Sequence, residues 1–322
     1  MIKICSPTRI SLFGGGCDFS SYYSTVDQVM LIGFAIDQHS FIFYRKTNKI
    51  LPYYTIINYS KTEKVKDNSL IQHNGARAAL QYFNITDGVE ISHLCSVPAR
   101  TGLGSSSTFL VSLIHAICFE RDSKSPSKKE LAQHCINIEQ NILKFASGIQ
   151  DSIWSSYGGF NSIEIKPNGN FFVRPMPLSP EFIDYFYSHL ALFYIGPRKS
   201  FEVASSVDSC QESVIIHKNE TLAIAKEAYK AFEQENILYI SKLLHESWLH
   251  KKGVSKLISN TKIDNYYNKG LSLGALSGKV CGSGGGGCIL FLVPPEKRQH
   301  LIDNMGIPYV DFNFDFDGSK IL

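Results

Sequence analysis

The chain has 322 residues, and its 44 % hydrophobic and 19 % charged content is that of a folded globular protein, which excludes a disordered or fibrous chain. This length accommodates two domains or one large domain. A formal net charge of +3, with no run of like charges, predicts neither nucleic acid nor an anionic membrane as a partner.

Apolar periodicity and the positions of glycine predict a chain that mixes strands and helices. The first half carries predicted strands at residues 9–13, 29–36, 40–44, 89–97 and 160–165, and predicted helices at 70–83, after Gly104 and after Ser127. The second half carries predicted strands at 191–195 and on both sides of a glycine loop within 279–293, long helices between 211 and 259, a helix from Pro295 and two short terminal strands.

Proline and glycine accumulate over residues 167–180, which is typical of a boundary between domains. We therefore expect an α+β protein with an N-terminal domain over 1–175 and a C-terminal domain over 176–322. The C-terminal domain is expected to be a sheet covered by helices on one face. The active site is expected in the cleft between the two domains.

The eight cysteines include no CxxC pair, so neither a zinc ribbon nor a thioredoxin-like motif is indicated. The first residues lack the apolar core of a signal peptide, and the longest apolar stretches, such as Cys288–Val293, are too short to span a bilayer. These features predict a cytoplasmic protein with free thiols and no contact with a membrane.

One segment has the composition of a phosphate-binding loop. It consists of Pro98, Ala99, Arg100, Thr101, Gly102, Leu103, Gly104, Ser105, Ser106 and Ser107. Glycine lets the backbone approach a phosphate, the first amides of the following helix are unpaired, and serine hydroxyls add donors and a neutral ligand for Mg²⁺. The spacing matches neither the GxGxxG dinucleotide motif nor Walker A. The alternative is a helix whose capping segment is merely rich in glycine and serine.

Three segments, in order, resemble the three motifs of the GHMP kinases, the superfamily of galactokinase, homoserine kinase, mevalonate kinase and phosphomevalonate kinase. They are Ser6–Asp18, Pro98–Ser107 and Lys279–Cys288. The triple glycine before Asp18 resembles the D-glycero-D-manno-heptose 7-phosphate kinases rather than galactokinase. So do residues 71–73, 138–140, 148–151, 160–161 and 293–298. The resemblance implies transfer of phosphate from ATP to the anomeric hydroxyl of a heptose 7-phosphate, which gives the 1,7-bisphosphate that feeds nucleotide-activated heptose and surface polysaccharide synthesis in bacteria.

The resemblance implies a role for each matching residue. Asp151 becomes the base beside the attacking hydroxyl, and Arg9 the cation that orients this base and stabilises the charge developing on the transferred phosphoryl group. By spacing alone, Asp151 is a helix-capping aspartate and Arg9 a surface ion-pair partner. Ser106 and Glu139 become ligands of Mg²⁺, although a carboxylate at the edge of an apolar helix stripe is usually solvated. The residues expected to contact the sugar are Gly14, Gly15, Gly16, Cys17, Asp18, Gln150, Gly284, Gly285 and Gly286.

Some features leave the substrate open. Cys17, Ser152 and Cys288 depart from the residues usual in the heptose phosphate kinases. Four basic residues are candidates to hold the substrate phosphate, and the sequence does not choose among them: Arg77, Arg100, Lys144 and Arg198. The alternatives are a GHMP kinase for fucose, galactose or an unphosphorylated heptose, a decarboxylase of the superfamily, and a sensor that binds sugar and ATP without turnover. The sequence predicts ATP, Mg²⁺ and a small sugar phosphate as ligands, and no oligomeric state.

Overall fold

The structure is a computed structural model that describes residues 1–47, 54–198 and 211–322, together with Val203 and Asp208. The strands are β1 (Ile2–Phe13), β2 (Val29–Lys46), β3 (Thr55–Asn58), β4 (Thr62–Val65), β5 (Val89–Cys95), β6 (Phe160–Ile165), β7 (Phe171–Pro175), β8 (Leu190–Gly196), β9 (Ser277–Val280), β10 (Gly287–Leu292) and β11 (Lys320–Ile321). The helices are α1 (Ser20–Tyr23), α2 (Asn74–Tyr82), α3 (Ser105–Asp122), α4 (Lys128–Asn137), α5 (Gln150–Tyr157), α6 (Pro180–Ser188), α7 (Glu212–Glu233), α8 (Ile237–Val254), α9 (Thr261–Ser272) and α10 (Pro295–Asn304).

The long strand β2 organises the larger sheet, whose main strand order is β11-β1-β2-β5-β3-β4. Along one edge, β2 pairs with β1 from Ile32 to Tyr44. Along the other, its first half pairs with β6 and its second half with β5. Because β2 is 18 residues long, two strands pair with it in succession. The two strands predicted at 29–36 and 40–44 are therefore one continuous strand in the structure.

Helix α3 packs its apolar face against the larger sheet. The predicted stripe is buried in full: Phe109, Leu110, Leu113, Ile114 and Ile117. It shares a core with Ile4, Ile42 and Ile91 of the sheet, and this packing fixes the start of α3 beside the end of β5. Ser127 and Glu130 form the predicted capping box at the start of α4.

The smaller sheet, β8-β10-β9, is covered by helices on both faces, so the prediction of one covered face was wrong. One face packs on α7 and α8 through alternate positions such as Leu192 and Leu290. The other packs on α9 and α10 through Phe193 and Phe291. The physical reason is in the strands themselves, since β10 is apolar and buried at nearly every position, as is typical of a strand covered on both sides.

Helices α7 and α8 lie between the two sheets, because their core also includes Ile10 of β1 and Phe34 of β2. The division of the chain near residue 175 stays a prediction, although β7 ends there and β11 returns to pair with β1 of the larger sheet. The seven described cysteines are free thiols, and Cys210 lies outside the described residues. Within the described ranges, the structure contains no helix long and apolar enough to cross a bilayer.

A segment near the C-terminal end crosses the turn that joins α5 to β6. The amide of Asp315 donates to the carbonyl of Ala35 at 3.0 Å, and its carbonyl accepts from Gly159 at 2.6 Å. Its carboxylate also lies 2.7 Å from Nε2 of His39 on β2. Burial by itself lowers the pKa of His39, but its hydrogen bonds and charge interactions with Asp315 and Cys5 outweigh burial and raise the pKa to about 9.

We expect the His39–Asp315 pair to make stability depend on pH. The folded-state pKa of His39 exceeds its ordinary value of 6.5, so the stabilisation is complete below pH 6.5 and is lost as the pH rises towards 9. His39→Gln should therefore lower the free energy of unfolding by about 2 kcal/mol at pH 6 and by much less at pH 9.5. Denaturant titrations of both proteins at the two pH values measure this difference, and an equal loss at both would contradict it.

Candidate active site

The predicted phosphate loop lies between β5 and α3 and has the backbone of an anion site. Gly102 and Gly104 adopt φ of 81° and 84°, a conformation that a side chain would strain. Helix α3 begins directly after Gly104, and no side chain caps it. The first amides of an 18-residue helix are therefore left to an external acceptor, together with the positive end of the helix dipole.

Arg9 joins this loop to Asp151. Its Nε and Nη2 lie 2.9 and 2.6 Å from Oδ1 of Asp151, and its Nη1 donates to the carbonyl of Gly102 at 2.7 Å. Arg9 is 4 % exposed, whereas the side chain of Asp151 is partly open to the cavities. Gly104 faces Asp151 so closely that an added Cβ would lie 3.2 Å from the carboxylate. The structure thus brings Asp151, Arg9 and the phosphate loop together, and Asp151 stands in the first turn of α5.

Two cavities meet at Asp151. We name the first the basic cavity, because five cationic side chains line it: Arg9, Arg198, Lys218, Lys251 and Lys279. We name the second the aromatic cavity, because it is lined by Tyr59, His73, His93 and Phe109 together with the start of α3. Among the described residues, Asp151 and Arg198 line both cavities.

Two lysines of the basic cavity, the buried Lys279 and the partly buried Lys251, donate to backbone carbonyls. Lys279 donates to Leu12 at 2.5 Å, and Lys251 donates to Val280 at 2.9 Å and also to Gly282. Burial lowers the pKa of Lys279 to about 8, with Cys281 opposing and Arg9 adding to that shift, and it also lowers the pKa of Lys251. The lowered pKa values disfavour the charged forms of both lysines, and an anionic ligand in the cavity would favour those charged forms again.

Lys218 comes from the second turn of α7 and is 2 % exposed. Its Nζ lies 5.5 Å from the ring centres of Phe19 and Tyr22. The sequence interpretation missed Lys218, Lys251 and Lys279 as cavity residues. A usable signal existed only for Lys279, which interrupts an otherwise uncharged strand beside the glycine loop.

The glycine turn after β1 forms one wall of the basic cavity through Gly15 and Gly16. Gly14 supports the turn with φ of 77°, where an added Cβ would lie 2.1 Å from the carbonyl of Met30. Gln150, which was also predicted to contact the sugar, lines the same cavity. The sequence-predicted turn therefore exposes backbone rather than side chains to the cavity.

Asp18 and Cys17 lie behind this turn, which differs from the prediction that both contact the sugar. Asp18 is fully buried, and its carboxylate accepts from the amides of Gly16 and Gln150 at 3.1 and 3.2 Å and from the Gln150 side chain at 3.0 Å. Burial and, second, the charge of Asp151 raise the pKa of Asp18, while these backbone bonds lower it. Cys17 points its thiol towards the carbonyl of Lys218. Both residues hold the turn against α5 and α7.

The third motif packs backbone against backbone on the phosphate loop. The amide of Cys288 donates to the carbonyl of Thr101 at 2.7 Å. An added Cβ on Gly287 would lie 2.3 Å from that same carbonyl oxygen, and one on Gly102 would lie 2.5 Å from the carbonyl of Cys281. The third motif and the phosphate loop can approach this closely because Gly287 and Gly102 have no side chains. Gly282 and Ser283 line the basic cavity. The next three glycines, which were predicted to contact the sugar, face other parts of the chain: Gly284 faces residue 258, Gly285 faces residues 203 and 257, and Gly286 faces residues 197 and 198.

Glu139 is buried on a single π-helical turn, Ile138–Ile142, rather than on the regular helix predicted there. Its two carboxylate oxygens accept from Ser107 at 2.7 Å and from Ser152 at 2.9 Å. Burial raises the pKa of Glu139 to about 7, partly opposed by the Ser107 hydrogen bond. Ser106 is exposed and lines a recess together with Glu139. One carboxylate with neighbouring hydroxyls fits Mg²⁺, which takes few protein ligands when phosphates and waters supply the rest.

The four basic residues predicted as candidates to hold a substrate phosphate lie in different places in the structure. Arg77 donates to the carbonyl of Ile71 and to Asn74. Arg100 lines the aromatic cavity, and Lys144 lines neither cavity. Of the four, Arg198 lines the basic cavity.

Comparisons with known proteins agree with this geometry. A model of the GHMP kinases N terminal domain matches residues 70–159, and a model of the GHMP kinases C terminal region matches residues 228–311, which together span more than half of the chain. The chain is 25 % identical to D-glycero-alpha-D-manno-heptose 7-phosphate kinase of Campylobacter jejuni, over 99 % of this chain and 98 % of that one. It is 26 % identical to mevalonate kinase of Pyrococcus abyssi, over 75 % and 70 % of the two chains.

Solved structures share the fold. A D-glycero-D-manno-heptose 1-phosphate kinase from Bacteroides thetaiotaomicron superposes with a TM-score of 0.79 at 20 % identity, covering 100 % of this chain and 99 % of that one. The mevalonate kinase of Methanococcus jannaschii superposes with a TM-score of 0.72 at 24 % identity, covering 97 % and 98 %. The predicted fold class is thereby confirmed.

Substitution of Gly287 tests the contact between the third motif and the phosphate loop. We expect Gly287→Ala to displace Thr101 and to raise the KM for ATP about tenfold or more, because its Cβ would lie 2.3 Å from the Thr101 oxygen at φ of 88°. Gly306→Ala is the control, since Gly306 has a similar φ of 73° and the neighbour of its added Cβ is the flexible end of Lys269. ATP titrations of the two variants should differ, and equal KM values would contradict the contact.

Proposed function

The chain belongs to the GHMP kinases and is an ATP-dependent carbohydrate kinase, and we propose that it phosphorylates the anomeric hydroxyl of D-glycero-D-manno-heptose 7-phosphate to give the 1,7-bisphosphate. The observation that carries the choice of acceptor is the charge of the basic cavity. Five basic side chains line it, against the single carboxylate of Asp151 among the described lining residues. Since Arg9 is already paired with Asp151, a neutral sugar brings no counter-charge to the other basic side chains, whereas the dianionic phosphate of a sugar phosphate offsets part of their charge. We further propose that the product serves nucleotide-heptose and surface polysaccharide synthesis in the cytoplasm.

The aromatic cavity suits the nucleotide. Its rings pack on one another, with His73 and His93 lying 4.5 and 4.9 Å from the ring centre of Phe109. Burial lowers the pKa of both histidines, to about 4 for His93, so these rings are neutral near pH 7. Neutral aromatic rings offer stacking surface to a purine. The triphosphate then reaches the amides at the start of α3, which line the same cavity.

Mg²⁺ completes the nucleotide site in this proposal. Glu139 and the hydroxyl of Ser106 would hold it, with Ser107 beside them, and the bound ion supplies positive charge to the triphosphate. Glu139 is anchored by Ser152 of α5, the helix that also carries Asp151. The metal position and the base are therefore linked through one short helix.

Asp151 accepts the proton of the acceptor hydroxyl as that oxygen attacks the γ-phosphorus. The bond from the γ-phosphorus to the β–γ bridging oxygen breaks, and ADP leaves with that electron pair. Arg9 keeps the carboxylate aimed by holding Oδ1 through two nitrogens, and the shared contact with Gly102 fixes the distance to the loop. Positioning and electrostatics account for catalysis, as in other phosphoryl transfers.

Removal of the base is expected to abolish most turnover. Asp151→Asn keeps the shape of the side chain but accepts no proton, so kcat should fall at least about a hundredfold while ATP affinity is roughly kept. Steady-state kinetics and ATP titration measure the two effects. Asp184→Asn, on the exposed side of α6, is the control that should leave both unchanged. Near-normal turnover in the Asp151 variant would remove it from the mechanism.

The acceptor is tested by ATP consumption with Mg²⁺ across sugars with and without a terminal phosphate. Turnover with D-glycero-D-manno-heptose 7-phosphate and little with the free heptose supports the proposal. Turnover confined to free heptose, fucose or galactose would overturn the acceptor and keep the kinase. Sugar binding without any turnover would favour a sensor.

Lys218 provides a sharper version of that test. Lys218→Met should raise the KM for the sugar phosphate on the order of 10- to 100-fold, because a buried cation near the phosphate is lost, with the KM for ATP little changed. Lys226→Met, exposed on the same helix, is the matched control. An equal loss for phosphorylated and free sugar would mean that Lys218 shapes the cavity and does not hold the phosphate.

A further inference from the structure

Arg198 lies where the parts of the active site meet. It follows β8, and its amide donates to the carbonyl of Arg100 in the phosphate loop at 3.1 Å. Its Nη1 donates to the hydroxyl of Ser283 in the third motif at 2.9 Å. Gly282 is adjacent, since an added Cβ there would lie 3.0 Å from the same Nη1. The phosphate loop therefore holds the backbone of Arg198, and the third motif holds one end of its guanidinium.

The phosphoryl group has to travel past Arg198. ATP in the aromatic cavity and the acceptor in the basic cavity exchange the group where the two cavities join. Asp151 and Arg198 both line that junction. In a transfer of this kind, negative charge is spread over the three equatorial oxygens of the phosphoryl group, and a guanidinium donates to such oxygens in a fixed fork.

The two arginines at this junction differ in their free donors. Arg9 has its Nε, Nη1 and Nη2 engaged with Asp151 and Gly102. The Nε of Arg198 is buried and has no hydrogen-bond partner among the described residues. A buried donor without an acceptor is costly, and such a group in a native site is explained by a ligand that arrives there.

We propose that Arg198 is the residue that binds the γ-phosphoryl group during transfer, while Arg9 acts by positioning Asp151 and the loop. The Nε–H of Arg198 donates to an equatorial phosphoryl oxygen as the bond to the β–γ bridging oxygen breaks and the bond to the acceptor oxygen forms. The proton of the acceptor passes to Asp151. This assignment rests on the chain being a kinase and not on the identity of its sugar.

Kinetics with whichever sugar the acceptor panel identifies tests the assignment. Arg198→Ala should lower kcat on the order of 10²- to 10⁴-fold with both KM values within about threefold. Arg198→Lys should recover only part of the loss, because an ammonium lacks the fork. Guanidinium ion added to the alanine variant should raise its kcat, and it should not raise that of Asp151→Asn. Arg298→Ala is the structural control, since Arg298 also bonds the backbone of β8, at Leu190, away from both cavities.

A second measurement needs no acceptor. ADP with aluminium fluoride and Mg²⁺ mimics the phosphoryl group in transit, and the wild-type chain should bind it at least about tenfold more tightly than ADP. Arg198→Ala should lose this preference and keep its affinity for ADP. An alanine variant whose defect is a raised KM for the sugar phosphate at normal kcat would overturn the assignment and make Arg198 part of the acceptor site. Retention of the aluminium fluoride preference would overturn it as well.

Discussion

The rest of the site depends on the bonds that the buried guanidinium of Arg9 makes to Asp151 and to the carbonyl of Gly102. It joins β1, the phosphate loop and the start of α5, three segments far apart in the sequence, through bonds of 2.6 to 2.9 Å. A largely buried ion pair gains little net stability, but loss of Asp151 would leave the buried charge of Arg9 without a partner, which is expensive. The main effect of the Arg9–Asp151 pair is therefore to fix the position of Asp151 relative to the phosphate loop.

Around this contact, backbone hydrogen bonds join the smaller sheet to the phosphate loop. The glycines of the third motif let β10 approach Thr101 within hydrogen-bond distance, and Arg198 adds a second bond to the loop from the end of β8. Helices α7 and α8 fill the space between the sheets and bring Lys218 and Lys251 to the basic cavity. One wall of the site thus comes from each sheet, and the cavity exists only when both are in place.

The sequence predicted those parts that depend on local chemistry. The stripe of α3, the capping box of α4 and the glycine turn at Gly14 are each set by residues within a few positions of one another. The π-turn under Glu139 escaped prediction, because periodicity does not register one extra residue in a turn. The lysines of the basic cavity escaped it too, since their neighbours come from distant elements. For Asp18, the sequence interpretation preferred a contact with the sugar to a role in a turn, and the structure buries its carboxylate against the amides of Gly16 and Gln150.

The bond from Cys288 to Thr101 also constrains the order in which the molecule acquires its parts. The residues of the phosphate loop and of β10 are separated by more than half of the chain, so closing that contact costs loop entropy that local contacts do not. Helix α3 can form early from its own sequence. The contact of the loop in front of it with β10 needs the smaller sheet, so we expect the loop to reach its final shape later in folding than the helix.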